Sequence, residues 1–418
     1  KRVTKLEKGI GSWQISGRFK FDAKFTNGDQ DADSQFLNQK ENHTTKNEFA
    51  KEYARLYFRR QITEDTYFDS EFRVGAWAAS GTQRGQGDTK QMSWNKFYIG
   101  TKLPFWGLNA RIGRFSWDWE SEYGLVNAFD SLFGDYRGDA FEFKKKWDKV
   151  SLTGIIYRNY NNEGEQALYV GGQSSQSMNY ALKLDYVADK WFLAGFGNWM
   201  QFDGGKETSK EVVANASGHV HTYGIYAGYK FTQDIALKGA YYWQKLSSDL
   251  TGKLFGEDSS SENAWKVVLD IKQPALKFTS LWVEYAQMTG CFLGNNAMGG
   301  VTAYSFGFKA DSDKGLFWGA TPEKDGKFKV WNIRAAQKWT KKFSTELIFM
   351  QLDNGLDGAD KTKAFGINAS YKLNPAVTCT LGYDWYDYGG DKDAKTGGNQ
   401  WGHYGKDGVL FFRTDVKF

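Results

Sequence analysis

The sequence predicts an all-β fold, a transmembrane antiparallel β-barrel of sixteen to eighteen strands. The first observation behind it is the final segment, residues 409–418, in which apolar and ionised side chains alternate up to Phe418. Successive strand side chains point to opposite faces, so one face of this segment is apolar and the other charged. The second is that similar segments of about 9 to 13 residues recur along the chain. The third is composition, since aromatic residues make up 17% of the chain and Pro occurs only 4 times.

Composition narrows the possible classes of protein. The 418 residues could form two or three ordinary domains or one large all-β unit. No apolar run approaches the roughly 18 to 20 residues that a spanning helix needs, which excludes helical insertion into a membrane. The mean hydropathy of −0.60 is compatible with a barrel, because half of each strand faces water. The formal net charge of +5, without dense Lys/Arg runs, gives no reason to expect a nucleic-acid partner.

The periodicity of apolar residues predicts the strands, turns and loops in chain order. Residues 1–9 are charged and fit the end of a periplasmic stalk or a tail, so we assign residues 10–418 to the barrel domain. From Ile10 the period is two, and the apolar side chains of the first strand lie opposite its polar ones. Short turns are predicted at 63–65, 104–107, 147–149, 188–190, 232–234, 273–275, 340–342 and 374–375. Long polar loops are predicted near 27–47, 80–91, 116–138, 161–176, 203–218, 247–262, 288–327, 353–361 and 387–407.

Eight turns and nine loops give eighteen strands, with short periplasmic turns, long extracellular loops and both chain ends on the short-turn side. One misjudged hairpin would make the number sixteen. Large aromatic residues crowd the turns, which is typical of a girdle at a membrane interface. Ordinary aromatic residues of a soluble β-core are the alternative. The girdle comprises Tyr67, Phe68, Phe105, Trp106, Trp147, Trp191, Phe231, Trp339, Phe343 and Tyr371.

The third long loop, residues 116–138, is both apolar and acidic, unlike the other loops. A loop with this many apolar side chains should pack against something, so we expect it to fold into the barrel. It would then bring carboxylates to the narrowest part of the lumen. The predicted constriction acids are Asp118, Glu120, Glu122, Asp130 and Asp135.

Arginine is concentrated before residue 159, on strand faces predicted to point into the lumen. Because the last strand of a closed barrel lies beside the first, Arg413 joins this group across the seam. Acids on an inward loop opposite such a wall would create a transverse field that filters small hydrophilic solutes and ions. The alternative is that these charges merely pair with one another. The predicted basic wall comprises Arg18, Arg55, Arg59, Arg73, Arg111 and Arg413.

No catalytic motif accompanies these charges. The sequence has no G-x-S-x-G, H-E-x-x-H or P-loop pattern, and it has only four histidines. His219 and His221 are two apart and therefore share a strand face, but no further ligand nearby completes a metal site. We therefore expect no metal, no cofactor and no enzymatic activity, with an outer-membrane hydrolase as a distant alternative.

In length, terminal Phe418 and hairpin order the chain resembles the general porins of bacterial outer membranes, whose third loop narrows the barrel. The stretch from Val3 through Leu6, Gly11 and Trp13 to Phe21 is also similar to the junction in SLH-domain (OmpM-type) porins of diderm Firmicutes. The resemblance implies a homotrimer surrounded by outer-membrane lipids, and a cell-wall tether through an N-terminal module.

We expect passive diffusion of small hydrophilic solutes and ions through an outer-membrane pore. A substrate-selective channel, for example for oligosaccharides, stays open because Tyr53, Tyr57 and Trp77 fall on lumen-facing positions.

Overall fold

A computed structural model describes residues 13–26, 47–74, 77–78, 93–127, 131–159, 178–202, 218–248, 251, 260–289, 292–293, 327–353, 360–390 and 405–418. The predicted stalk or tail at 1–9 and the acid Asp130 lie outside this part of the chain. No helix within it has both the length and the hydropathy needed to cross a membrane.

The described residues form one closed antiparallel sheet of eighteen strands. Trp77–Ala78 continues the third strand, since both pieces pair with the second. Each strand pairs with its chain neighbours, and the last pairs with the first, which confirms the prediction of eighteen rather than sixteen strands. In order they are β1 Trp13–Thr26, β2 Asn47–Gln61, β3 Thr66–Val74, β4 Ser93–Lys102, β5 Asn109–Asp118, β6 Asp135–Trp147, β7 Val150–Asn159, β8 Asn179–Val187, β9 Trp191–Phe202, β10 Gly218–Lys230, β11 Ile235–Leu246, β12 Ser260–Ile271, β13 Ser280–Thr289, β14 Lys327–Lys338, β15 Phe343–Asp353, β16 Thr362–Lys372, β17 Val377–Gly389 and β18 Gly405–Lys417.

The two faces of the sheet have the reverse of the polarity seen in a soluble protein. In β8 the ionised Lys183 and Asp185 are buried, whereas Leu182 and Leu184 are about half exposed. The same inversion recurs in β11, where Gln244 is buried and the rings of Tyr241 and Trp243 are exposed. An apolar outside around a polar inside is the arrangement of a barrel whose outer surface contacts lipid.

The seam between β18 and β1 depends on a small residue. The backbone of Gly17 exchanges two hydrogen bonds with Phe418, at 2.6 and 3.0 Å. A Cβ atom at Gly17 would overlap the ring of Phe418, so glycine makes room for the terminal aromatic side chain. On the inward face of the seam, Arg413 donates two hydrogen bonds to Asp22, at 2.6 and 2.7 Å.

Candidate functional site

The third loop leaves β5 through a single helical turn, α1, at Trp119–Glu122. Asp118 caps this turn by accepting a hydrogen bond from the amide of Ser121 at 3.1 Å. The amide of Trp119 donates to the carbonyl of Gly134 at 3.2 Å, so the two limbs of the loop are joined at its base. The base of the loop is therefore compact.

Glu120 fastens this unit to the barrel wall. Its carboxylate has no exposed surface and accepts hydrogen bonds from the amides of Leu132 and Phe133, both at 3.1 Å. The Tyr242 hydroxyl of β11 and the Lys266 ammonium of β12 also contact it. Burial raises the pKa of Glu120 above its usual value, and Lys266 opposes the shift. The ionised carboxylate is therefore costly to desolvate and depends on Lys266 for its charge partner.

Apolar packing completes the attachment. Leu125, Leu132 and Phe133 have no exposed surface. The ring of Phe133 stacks on Phe196 of β9 at 5.9 Å between centroids. The ring of Tyr123 lies 4.9 Å from that of Phe192, also on β9. Burying a side chain of the size of Phe or Leu contributes roughly 1.5–3 kcal/mol, so several such residues hold the loop firmly.

Two further lysines mark how far around the wall the loop extends. Lys183 of β8 contacts Glu122, and Lys238 of β11 donates to the carbonyl of Gly124 at 2.8 Å. Together with Lys266, these lysines show that the third loop folds into the barrel and covers the inner face of β8 to β12.

The predicted basic side chains lie on the other side of the barrel, on β18 and β1 to β5, and most have an acidic partner. Arg18 pairs with Asp415 across the seam. Arg55 and Arg73 both approach Glu71, at 3.6 and 2.5 Å. The remaining contacts are those of Arg413 with Asp22, of Arg111 with Glu142 at 2.5 Å, and of Arg59, which lies over the ring of Tyr67 at 4.7 Å.

The two sides of the lumen differ in their access to water. The side chains of Arg18 and Arg111 are 33% and 28% exposed, whereas those of Lys183 and Lys266 under the loop are 1% exposed. Water therefore reaches the arginine-bearing wall, while the third loop seals the opposite one.

The predicted constriction acids take three different places. Asp118 is a helix cap, Glu120 is buried in the attachment, and Glu122 lies at the loop surface on Lys183. Asp130 and the side chain of Asp135 lie outside the described residues. A transverse field made by these acids stays a prediction. Among the described acids, Glu122 is exposed, Asp118 is half-buried and Glu120 is buried.

Sequence reasoning missed the partners on the wall. The inward positions of three strands carry Lys183, Lys238 and Lys266 among uncharged or acidic residues. The inward phase of these lysines in the sequence was the signal that could have identified them. Glu71 and Glu142 were also missed, although they lie on the same inward faces as the arginines with which they pair.

The two histidines of β10 lie away from the lumen. His219 and His221 have the same phase as the exposed Tyr223 and Ile225 of β10, and their rings stack at 4.4 Å. Within the described ranges, no three His, Cys, Asp or Glu side chains are grouped as metal ligands would be.

Comparison with known proteins gives a fold but no family. No protein-family model matches the chain, and no curated protein sequence matches it. Among solved structures, the outer membrane protein OprD from Pseudomonas aeruginosa matches with a TM-score of 0.57 and 10% identity, over 97% of this chain and 93% of that one. Pseudomonas aeruginosa OccK3 (OpdO) gives 0.57 and 12%, over 99% and 97%. OccD3 (OpdP) of the same species gives 0.53 and 14%, over 97% and 91%. The chain therefore has the fold of these outer-membrane proteins.

Proposed function

We propose that this protein is a porin of a bacterial outer membrane, through which ions and small hydrophilic solutes diffuse passively. The observation that carries the proposal is the asymmetric lumen. The third loop is fixed on β8 to β12, and the hydrated side chains, among them Arg18 and Arg111, line the other wall. A water-filled passage between the loop and that wall would admit solutes without requiring a moving part.

The arginines of this wall would set the character of the passage. Guanidinium groups stay charged at any physiological pH, and their planar forks are held in place by the carboxylates beside them. Arg55, Arg73 and Lys96 approach the carboxylate of Glu71 at 3.6, 2.5 and 3.8 Å. This cluster of charges would act on passing ions even though its members are paired.

Conductance in planar bilayers tests the proposal. We expect the purified protein to insert and to give steady channels whose current does not saturate with solute concentration. The variant in which Arg55, Arg59 and Arg73 are all replaced by Ser should show a larger conductance or a shifted ion selectivity. A correctly folded protein without channels would reject the porin function. Channels with unchanged conductance and selectivity in the triple variant would reject the filter role of the arginines.

A substrate-selective channel is the second candidate, and a specific surface favours it. The rings of Tyr67 and Tyr98 lie edge to face at 6.1 Å on the lumen side. Arg59 and Arg111 lie over these rings, at 4.7 and 5.9 Å. Aromatic faces flanked by hydrogen-bond donors suit a solute with a ring, such as a sugar. Uptake of an oligosaccharide into proteoliposomes tests this function. Saturable uptake that is lost when Tyr67 and Tyr98 become Ala would favour the substrate-selective channel over passive diffusion.

We also propose a homotrimer in the outer membrane, as the porin resemblance implies. The outward apolar residues of some strands would then contact a second copy instead of lipid. Chemical cross-linking in native membranes tests this proposal. A ladder ending at three copies is expected, and a monomer alone would reject it.

A further inference from the structure

A repeated position at the short-turn end of the barrel carries a lysine in almost every hairpin. Each of these lysines is exposed, and each lies four residues from an inward residue of its strand, as Lys338 does from Arg334 and Lys372 from Asn368. Lys190 and Lys272 lie one residue beyond the ends of their strands. Side chains four apart in a strand share a face, so these are the last inward positions before the turns. The set comprises Lys102, Lys146, Lys190, Lys230, Lys272, Lys338, Lys372 and Lys417.

These eight lysines, here called the lysine ring, are spread around the whole mouth. They border seven of the eight turns and the seam, and only the turn between β2 and β3 has none. Members two strands apart are separated by about 10 Å, since neighbouring strands are about 4.8 Å apart. Lys190 and Lys230 are closer, because the amide of Lys230 donates to the carbonyl of Lys190.

Asp415, the partner of Arg18, also interacts with Lys417, but the charge of the lysine ring is otherwise not balanced locally. Among the described residues, none of the eight ammonium groups forms an ion pair with a carboxylate. Lysines at the other ends of the strands are placed differently, since Lys329 is opposite Asp353 and Lys363 is opposite Asp387 in the strand register.

The turns themselves add to the surplus. Four more exposed lysines, Lys149, Lys277, Lys341 and Lys342, lie at the turn tips beside five acids, Glu64, Asp65, Asp148, Asp189 and Asp234. The twelve lysines exceed these acids by seven, which is more than the formal net charge of +5 of the whole chain. The excess positive charge of the protein is therefore concentrated at this mouth.

We infer that the lysine ring makes the short-turn mouth anion-attracting, so that inorganic and organic anions enter or leave the channel there in preference to cations. This inference rests on the proposed channel function and specifies the class of solute it favours. Rings of Lys or Arg select anions by raising their local concentration at a pore mouth. The spacing of about 10 Å matches the Debye length at 0.1 M salt, so the fields of neighbouring lysines overlap. At 1 M the Debye length is about 3 Å and the effect should largely vanish.

Two matched variants test the lysine ring. In the ring variant, Lys230, Lys272, Lys338 and Lys372 become Gln. In the tip variant, Lys149, Lys277, Lys341 and Lys342 become Gln, so both lose four positive charges at the same end of the barrel. Folding of each is checked by the heat-dependent shift in gel mobility that folded barrels show.

The readout is the reversal potential in a KCl gradient centred on about 0.1 M and again on about 1 M. For the ring variant we expect the chloride-to-potassium permeability ratio to fall at least about twofold at the lower salt, with little change at the higher salt. The tip variant should change much less. Equal shifts in the two variants, or no shift in either, would overturn the proposed role of the lysine ring and leave the proposed channel function intact. Wild-type protein that folds but does not conduct would overturn both.

Discussion

Single residues decide whether the third loop stays on the wall. Glu120 and Lys266 are both fully buried, and Glu120 would be a costly unpaired charge without the lysine. Lys266 also lies 3.4 Å from Glu284, so it has a second carboxylate partner. For Glu120, Lys266 is the cation in contact among the described residues. The two partners are therefore not equivalent, and removing the lysine is the more informative change.

Replacing Lys266 by Met should make loop docking depend on pH. Burial already raises the pKa of Glu120, and loss of the opposing cation raises it further. A carboxyl whose pKa is higher in the docked state favours docking at low pH, and this contribution is lost as pH rises through that pKa. We therefore expect single-channel conductance of the K266M variant to increase between about pH 5 and pH 9, as the loop loosens.

The control is the double variant K266M/E120Q, which removes the titratable carboxyl of the loop and keeps Glu284 on the wall. Its conductance should lose the pH dependence that Glu120 causes over the same range. If single and double variants have the same pH profile, Glu120 is not the group that controls docking.

At the scale of elements, the third loop differs from a typical surface loop because it has a core of its own. Phe133 lies between Phe196, Tyr242 and Phe292, with centroid distances of 5.9, 5.7 and 6.3 Å. The apolar content of residues 116–138 predicted that this loop packs on something. The surface it packs on was not predictable, because the aromatic rings of β9 and β11 are separated from it by many residues and meet it only when the barrel closes.

Truncation of Phe133 to Ala should release the loop. Emptying a buried aromatic site costs about 3–5 kcal/mol, which is comparable with what a few apolar contacts contribute to docking. We expect larger and noisier single-channel currents, because the passage is no longer narrowed by a fixed loop. Phe231→Ala, at an exposed turn position, is the control and should leave the currents unchanged. Wild-type currents in F133A would mean that the loop does not define the passage.

The whole molecule is organised by depth in a bilayer. Leu184 in the middle of β8 and Leu373 in a short turn are equally exposed, at 54%, yet they belong to different surroundings. The first lies in the apolar outer surface, and the second lies among the lysines and polar residues of the short-turn end.

Arginine substitution at these two leucines distinguishes the surroundings. Leu184→Arg should lower the free energy of unfolding in lipid vesicles by about 2–4 kcal/mol, since a charge near the bilayer midplane is poorly solvated. Leu373→Arg should cost about 0–1 kcal/mol. Denaturant titration of the vesicle-inserted protein measures both, and equal costs would contradict a membrane around β8.

Local pattern was enough to predict the barrel, because strand phase is a local property. The period of two, the alternation of turns and loops, and the eighteen strands all follow from it. The same pattern predicts which arginines point inward, since alternate positions along a strand face opposite sides of the sheet. Which distant charges meet followed only from the three-dimensional structure. Glu120 contacts Lys266 because the third loop folds onto the wall, and Arg413 contacts Asp22 because closure of the barrel sets the last strand beside the first. Contacts across a lumen join residues far apart in the chain, and no local period encodes them.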